Sequence, residues 1–260
     1  DAAREVIYVR DEQTGEFWSI TPAPVRGENP YIIRHGFGYS VFEYIGKGIK
    51  QKLTLFTSVE NSVKICIIRL ANITETDRNL SLTYYIRPVL TALEGSADPY
   101  IVTSAEPEKS LLLIENSFSS EFANRIAYLC TSEKNISFTG DRTEFFGING
   151  SLEAPAAMFG ELKGRVGAGL NPCAAIRAEV KIKAGEEKTC VFLLGQEESL
   201  DDVHAISQMF SKPDAAQNEL EQVMKFWREK LGLIKVKTPD KAFDIMHNGR
   251  LLYQVIACRM

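Results

Sequence analysis

The sequence has few of the residues on which metal and nucleophile chemistry depends. Among 260 residues there are only three histidines and five cysteines. The histidines, His35, His204 and His247, lie far apart, and no cysteines form a CxxC pair of the kind that binds zinc. There is also no G-x-S-x-G elbow, P-loop or dinucleotide-binding glycine motif. These absences argue against a metalloenzyme, a serine hydrolase and a nucleotide-binding protein, so we expect no metal and no cofactor.

The chain also lacks an excess of positive charge and a long apolar run. Thirty lysines and arginines stand against 34 aspartates and glutamates, and the formal net charge is −4. Nucleic acid is therefore not an expected partner. The longest apolar stretches, such as residues 110–114 and 191–195, are far below the roughly 20 residues that a membrane-spanning helix needs.

The cysteines and the chain ends suggest the setting of the protein. Five widely spaced cysteines in apolar surroundings indicate reduced, buried thiols, and we predict a cytoplasmic location. The chain begins at Asp1 without a leader and stops in the apolar run 255–258, which suggests a piece of a longer protein. That parent would be free to attach to a membrane.

Short segments with strand-like patterning are abundant. Residues 49–57 alternate between polar and apolar side chains, which is typical of a sheet with one solvated face. Residues 63–72 are apolar on both faces and predict a central strand, with residues 80–88 as its antiparallel neighbour. Further strands are predicted at 6–10, 17–19, 100–104, 110–115, 125–130, 136–139, 174–182 and 188–195. Together they predict a mainly β fold, a large antiparallel β-sandwich over residues 1–197.

The hydrophobic period changes from two to 3.6 at Ser199. Ser199 followed by Asp202 is typical of a helix N-terminus, and apolar residues recur at helical spacing up to residue 231. A second start signal at residues 238–240 predicts a final helix that runs to the C-terminus. Its apolar residues are spread more widely than one contact requires, so it needs a second packing partner. We predict C-terminal linker helices over residues 198–260.

The region between Gly140 and Pro172 is too long for a simple turn. Its large apolar side chains are Phe145, Phe146, Met158 and Phe159. Two interpretations stay open: these side chains line a groove, or they pin an irregular loop to the sandwich.

The densest run of potentially functional side chains spans residues 17–42. Its candidate substrate-binding residues are Trp18, Arg34, His35 and Tyr39. Guanidinium, imidazole and hydroxyl groups suit the hydroxyls of a sugar, or an anion such as phosphate. Gly36 and Gly38 alternate with larger residues, which leaves one backbone face bare where a strand should bend or bulge. A purely structural interpretation, with glycines at a corner and aromatic rings in the core, stays open.

Five short motifs resemble one enzyme family. They are Trp18-Ser19-Ile20-Thr21-Pro22, Pro30-Tyr31, Arg34-His35-Gly36-Phe37-Gly38-Tyr39-Ser40, Leu82-Thr83-Tyr84-Tyr85 and Asn248-Gly249-Arg250-Leu251-Leu252-Tyr253-Gln254. Together they resemble the N-terminal domain of the cellobiose phosphorylase family, glycoside hydrolase family 94, formerly a glycosyltransferase family. They are similar in particular to the phosphorylase-like part of cyclic β-1,2-glucan synthases and to 1,2-β-oligoglucan phosphorylases. The resemblance covers nearly the whole chain.

The resemblance implies a galactose-mutarotase-like supersandwich, then linker helices, then an (α/α)6 barrel with the catalytic aspartate and the phosphate ligands. All of these catalytic groups would lie beyond Met260. We therefore expect a non-catalytic chain that packs on its own C-terminal catalytic domain, with residues 34–39 at the interface and in contact with a β-glucan oligosaccharide. Inorganic phosphate would be the co-substrate of the full-length enzyme, whose expected linkage is β-1,2. A homodimer stays open.

Two other functions remain as alternatives. One is a free-standing carbohydrate-binding or structural module. The other is a mutarotase-like epimerase, which needs paired histidines with a carboxylate base. His204 and His247 fall on predicted helices, so the epimerase is less favoured. Glycoside cleavage by this chain is not expected either, because no carboxylate pair stands in an apolar context that would raise a pKa.

Overall fold

The computed structural model describes residues 4–91, 96, 98–116, 118 and 124–259. Within these residues the chain forms a five-stranded and an eight-stranded sheet, followed by helices. The strands are β1 Glu5–Asp11, β2 Phe17–Ser19, β3 Ile32–His35, β4 Tyr39–Gly46, β5 Ile49–Thr57, β6 Val63–Asn72, β7 Arg78–Ile86, β8 Ile101–Glu106, β9 Leu111–Asn116, β10 Ile126–Thr131, β11 Ile136–Asp141, β12 Pro172–Ile182 and β13 Glu187–Glu197. The prediction of a mainly β, antiparallel sandwich is confirmed.

The two sheets are antiparallel throughout their described pairings. Their strand orders are β11-β12-β7-β1-β2 and β3-β4-β5-β6-β13-β10-β9-β8. The helices are α1 Arg142–Phe146, α2 Leu200–Phe210, α3 Pro213–Leu231, α4 Lys241–Ile245 and α5 Leu251–Ala257, with one π-helical turn at Met246–Arg250 between the last two. Short 3-10 turns lie at Asp98–Tyr100, Pro107–Lys109 and Ala156–Met158. No helix in the described part of the chain is long and apolar enough to span a bilayer.

Strand β6 lies at the centre of the packing, as its doubly apolar pattern predicts. Cys66 and Ile68 point into the main core between the two sheets. Ile65 and Ile67 point to the other side, into a second core beneath α2 and α3. A strand buried on both faces carries no polar alternation, because neither face meets water.

The predicted pairing of β6 with the strand that follows it, β7, is wrong. β6 pairs with β5 and β13, whereas β7 pairs with β1 and β12 in the other sheet. Asn72 shapes the crossing between the sheets, since its Nδ2 donates to the Thr76 carbonyl at 2.7 Å and its Oδ1 accepts from the Thr74 N–H at 3.0 Å. Side-chain alternation specifies which residues are buried but leaves open which strand lies beside them.

The helices after β13 cover the outer face of the eight-stranded sheet. Ser199 caps α2 by accepting a hydrogen bond from the Asp202 N–H at 3.1 Å, as predicted. Buried side chains of α2 and α3 then fill the second core. These side chains are Val203, Phe210, Ala216, Leu220, Val223, Trp227 and Leu231. The sandwich therefore has a third, helical layer.

The long region after β11 pins itself to the five-stranded sheet. Phe145, Phe146 and Met158 are buried in a third cluster. Phe159 differs, being 68% exposed. Arg177 on β12 anchors the region to the sheet, because its guanidinium donates hydrogen bonds to the carbonyls of residues 157 and 160. Three of the four apolar side chains thus have a structural role.

A buried ion pair ties the two sheets at one end. Asp11, at the end of β1, is 2% exposed and pairs with Arg78 of β7. Arg78 also donates to the Lys47 carbonyl, at 2.8 Å, in the β4–β5 turn of the other sheet. Burial alone would raise the pKa of Asp11, but hydrogen bonds from the Gln13 N–H and Arg78 outweigh it and lower the pKa below its usual range.

The lowered pKa of Asp11 makes its contribution to stability dependent on pH. The contribution is complete above the unfolded-state pKa, about 4, and is lost as pH falls through the lower folded-state pKa. We expect Asp11→Asn to lower the free energy of unfolding by about 3 kcal/mol at pH 7, as for a broken buried ion pair. Urea denaturation should show this gap between variant and wild type shrinking below pH of about 4. An equal gap at pH 7 and at low pH would contradict the assignment.

Candidate functional site

The segment with the predicted site residues forms a hairpin at the edge of the eight-stranded sheet. β3 and β4 are joined by a tight turn, in which the Gly36 N–H donates to the Tyr39 carbonyl at 2.9 Å. The bend or bulge expected at the two glycines is therefore a turn between two strands. All four residues of β3 are exposed. The hairpin presents its side chains at an open sheet edge.

Arg34 and His35 point to opposite faces of the hairpin, because successive side chains of a strand alternate. Arg34 forms an ion pair with Glu43 on the outer face. The hydrogen bond from Arg34 lowers the pKa of Glu43. On the other face, His35 Nδ1 lies 2.8 Å from Ser40 Oγ, and its ring meets Phe42 edge-on. These neighbouring residues therefore do not act on one ligand atom together.

Trp18 lies apart from the other predicted site residues. It is 1% exposed and belongs to the main core between the sheets. Its Nε1 donates to Gln51 Oε1 at 2.8 Å, and Gln51 Nε2 donates to the Ile20 carbonyl at 3.0 Å. Trp18 offers a ligand no surface, so its place in the predicted substrate site does not fit this structure.

The tip of the hairpin is held by two aromatic side chains from the C-terminal helices. The Gly38 N–H donates to the hydroxyl of Tyr253 on α5, at 3.1 Å. Gly38 has a φ of +81°, and a Cβ there would lie 2.2 Å from Trp227 Nε1 on α3. A glycine is therefore required for both conformation and space. Trp227 and Tyr253 pack against each other with ring centroids 4.6 Å apart.

The C-terminal helix is shaped to make this contact. Gly249 lies in the π-helical turn, and a Cβ there would approach Phe37 of the hairpin tip to 2.8 Å. Its neighbour Asn248 accepts from the Val236 N–H and donates to the Val236 carbonyl, both at 2.7 Å. These two residues thus fix the helix to the preceding link and to the hairpin.

A cavity of about 560 Å³ lies between the hairpin, the end of β5 and the helices α3 and α5. Its lining includes His35, Tyr39, Ser40, Phe226, Trp227 and Tyr253. Sequence reasoning missed the last three as site residues, because their helical spacing is equally typical of a core stripe. A smaller cavity of about 310 Å³ on the outer face is lined by Arg34, Lys52 and Arg69. Tyr39 lines both cavities, with its ring lying across Gly36.

The site has little of what acid–base or metal chemistry needs. No group of three metal-ligating side chains occurs among the residues that the structure describes. His204 contacts Glu106 and Lys109, whereas His247 stacks on Phe243, so these histidines are not paired. Burial is the main cause that raises the pKa of Glu197, and the negative charge of Asp202 adds to it. Glu197 does not line the cavity, however. No carboxylate stands among the described residues that line the cavity.

Residues 1–213 match the family model described as the glycosyl hydrolase 94 supersandwich domain. The chain belongs to this family. It is 28% identical over 98% of its length to the cyclic β-(1,2)-glucan synthase NdvB of Rhizobium meliloti (strain 1021), and covers 9% of that protein. It is 24% identical over 99% of its length to an N,N'-diacetylchitobiose phosphorylase of Vibrio furnissii, and covers 33% of it. The chain thus spans a third or less of the curated relatives named here.

A solved structure shows the same supersandwich fold. A protein described as a kojibiose phosphorylase from the human microbiome superposes with a TM-score of 0.51 at 12% sequence identity. The match covers 96% of this chain and 30% of the other. In both comparisons, with the phosphorylase sequence and with this structure, the match covers about a third of a longer protein.

The contact between Gly38 and Trp227 can be tested against a glycine that has space around it. Gly185 has a similar φ of +72°, but no atom lies within 4 Å of the point that a Cβ would occupy there. Gly185→Ala should cost only the strain of a left-handed backbone, about 1–2 kcal/mol. Gly38→Ala should cost a further 1–3 kcal/mol or so, because Trp227 must move. Equal losses in urea denaturation would contradict the close contact.

Proposed function

We propose that the chain is the non-catalytic N-terminal sandwich of an inverting β-glucan phosphorylase or cyclic β-1,2-glucan synthase type of enzyme. Membership of family 94 supports this, as do the names of the relatives, a glucan synthase and disaccharide phosphorylases. The catalytic acid and the phosphate ligands would lie in an (α/α)6 barrel, as the family resemblance implies. The sandwich would pack on that barrel and shape its substrate mouth.

The observation that carries this proposal is an apolar face of the C-terminal helix that the sandwich leaves uncovered. Its large exposed side chains are Phe243, Ile245, Met246, Leu251 and Val255. Leu252 and Ile256 lie on the side that packs against the second core. Several large apolar side chains exposed along one helical segment mark an interaction surface. In our proposal the catalytic domain covers it.

A charge placed on this face should affect only the full-length enzyme. Ile245 is 73% exposed, so Ile245→Glu should change the stability of the 260-residue chain by no more than about 0.5 kcal/mol. In the full-length parent the same charge would be buried against the barrel and should lower the Tm. Leu252→Glu is the matched control, because it should destabilise both proteins. An unchanged Tm for full-length Ile245→Glu would contradict the docking surface.

Arg34 would face the substrate mouth from the outer face of the neighbouring hairpin. Arg34 is available for such a contact, since 59% of its side chain is exposed and its ion-pair partner is the surface residue Glu43. If it binds sugar or phosphate in the closed site, it would do so by a charge-assisted hydrogen bond.

Phosphorolysis by the full-length enzyme tests the role of Arg34. Arg34→Ala should lower kcat/KM for a β-1,2-linked gluco-oligosaccharide by about 1.5–3 kcal/mol of transition-state stabilisation, the range for a lost charge-assisted bond. Glu43→Gln is the control, because it removes the ion pair but keeps the guanidinium. If Arg34 only tethers the two domains, Arg34→Ala should lower the Tm and leave kcat/KM per folded molecule nearly unchanged.

A further inference from the structure

The cavity behind the hairpin holds polar groups whose hydrogen-bonding capacity is only partly used. The Tyr253 hydroxyl accepts from Gly38 and keeps its own proton to donate. His35 contacts Ser40 through Nδ1, which leaves Nε2 for another partner. Within the described residues, the Tyr39 hydroxyl makes no hydrogen bond. These groups come from three elements and converge on one space.

The walls between these polar groups are aromatic. Tyr39, Phe226, Trp227 and Tyr253 all line the cavity. Its volume of about 560 Å³ falls within the usual range of small-molecule pockets, about 300–1,000 Å³. Aromatic walls suit the C–H groups of a ligand, while hydroxyl and imidazole groups suit a ligand with hydroxyls. A pyranose ring presents both kinds of surface.

The charges around the cavity disfavour an ionic ligand. The cation at its rim, Lys64, is held by both carboxylate oxygens of Glu5, at 2.6 and 2.8 Å. Arg34 and Lys52 line the separate outer cavity instead. A purely apolar ligand would leave the polar groups of Tyr39 and His35 without partners, which costs binding energy. The lining therefore matches a neutral, hydroxyl-rich molecule.

We propose that this cavity binds one pyranose ring of a β-glucan, and that the site is complete within these 260 residues. The Tyr253 hydroxyl donates to a ring substituent, while its bond from Gly38 keeps the hairpin residues His35 and Tyr39 facing the same sugar. The choice of a glucan rests on the proposed function, whereas the existence of the site rests on the cavity. The site would hold a chain end outside the catalytic barrel.

Amide NMR of the 260-residue chain titrated with sophorose, the β-1,2-linked glucose disaccharide, tests this site. We expect weak binding, with a Kd on the order of 1 mM, and shifts centred on the amides of Gly38, Tyr39 and Tyr253. Tyr253→Phe should weaken binding by about five- to tenfold, as for the loss of one neutral hydrogen bond. Tyr100→Phe is the matched control, because Tyr100 is outside the cavity, and it should leave Kd unchanged.

A second variant keeps the test decisive if Tyr253→Phe disturbs the hairpin. Ala257 is exposed at the cavity wall, so Ala257→Trp should fill the opening and abolish binding with an unchanged Tm. Inorganic phosphate should cause no shifts in the cavity, because the cation at the cavity rim, Lys64, is already paired with Glu5. Absence of shifts with sophorose, shifts confined to other surfaces, or binding retained by Ala257→Trp would overturn the site. The docking and kinetic tests on the full-length enzyme would be unaffected by that outcome.

Discussion

The contact of the hairpin tip with Trp227 and Tyr253 is the constraint on which the candidate site depends. A Cβ at Gly38 would meet Trp227, and a Cβ at Gly36 would meet the ring of Tyr39, so the hairpin tip packs this closely only without side chains at both positions. This contact joins the edge of the eight-stranded sheet to both C-terminal helices. It thereby encloses the cavity and orients the helix whose apolar face stays uncovered.

The layered packing explains why such a contact forms at the edge of the sheet. The main core occupies the inner face of the eight-stranded sheet, and helices α2 and α3 cover the outer face only over its middle strands. β3 lies beyond that cover, and every residue of β3 is exposed. An open sheet edge next to helix ends leaves room for a pocket, whereas the centre of the sheet is filled. The cavity therefore lies at the edge of the eight-stranded sheet, where α3 and α5 end.

The C-terminal helix links the hairpin to the apolar side chains that stay uncovered. The C-terminal helix contacts the hairpin through Gly249 and Tyr253, and it exposes Leu251 and Val255 on its uncovered side. A domain that packs on the uncovered side would therefore contact α5, the same helix that holds the hairpin through Tyr253.

The sequence by itself determined which face of each strand and helix is buried and the order in which these elements follow one another. Period-two patterning located the strands, the change at Ser199 located the helices, and the motifs around Arg34 and Asn248 indicated the family. Only the tertiary structure decided the partners: β6 and β7 lie in different sheets, Trp18 is buried, and Arg34 and His35 face apart. Local periodicity specifies burial, because it follows from backbone geometry. The Gly38–Tyr253 contact joins residues 215 positions apart, and no local pattern records a pairing over that separation.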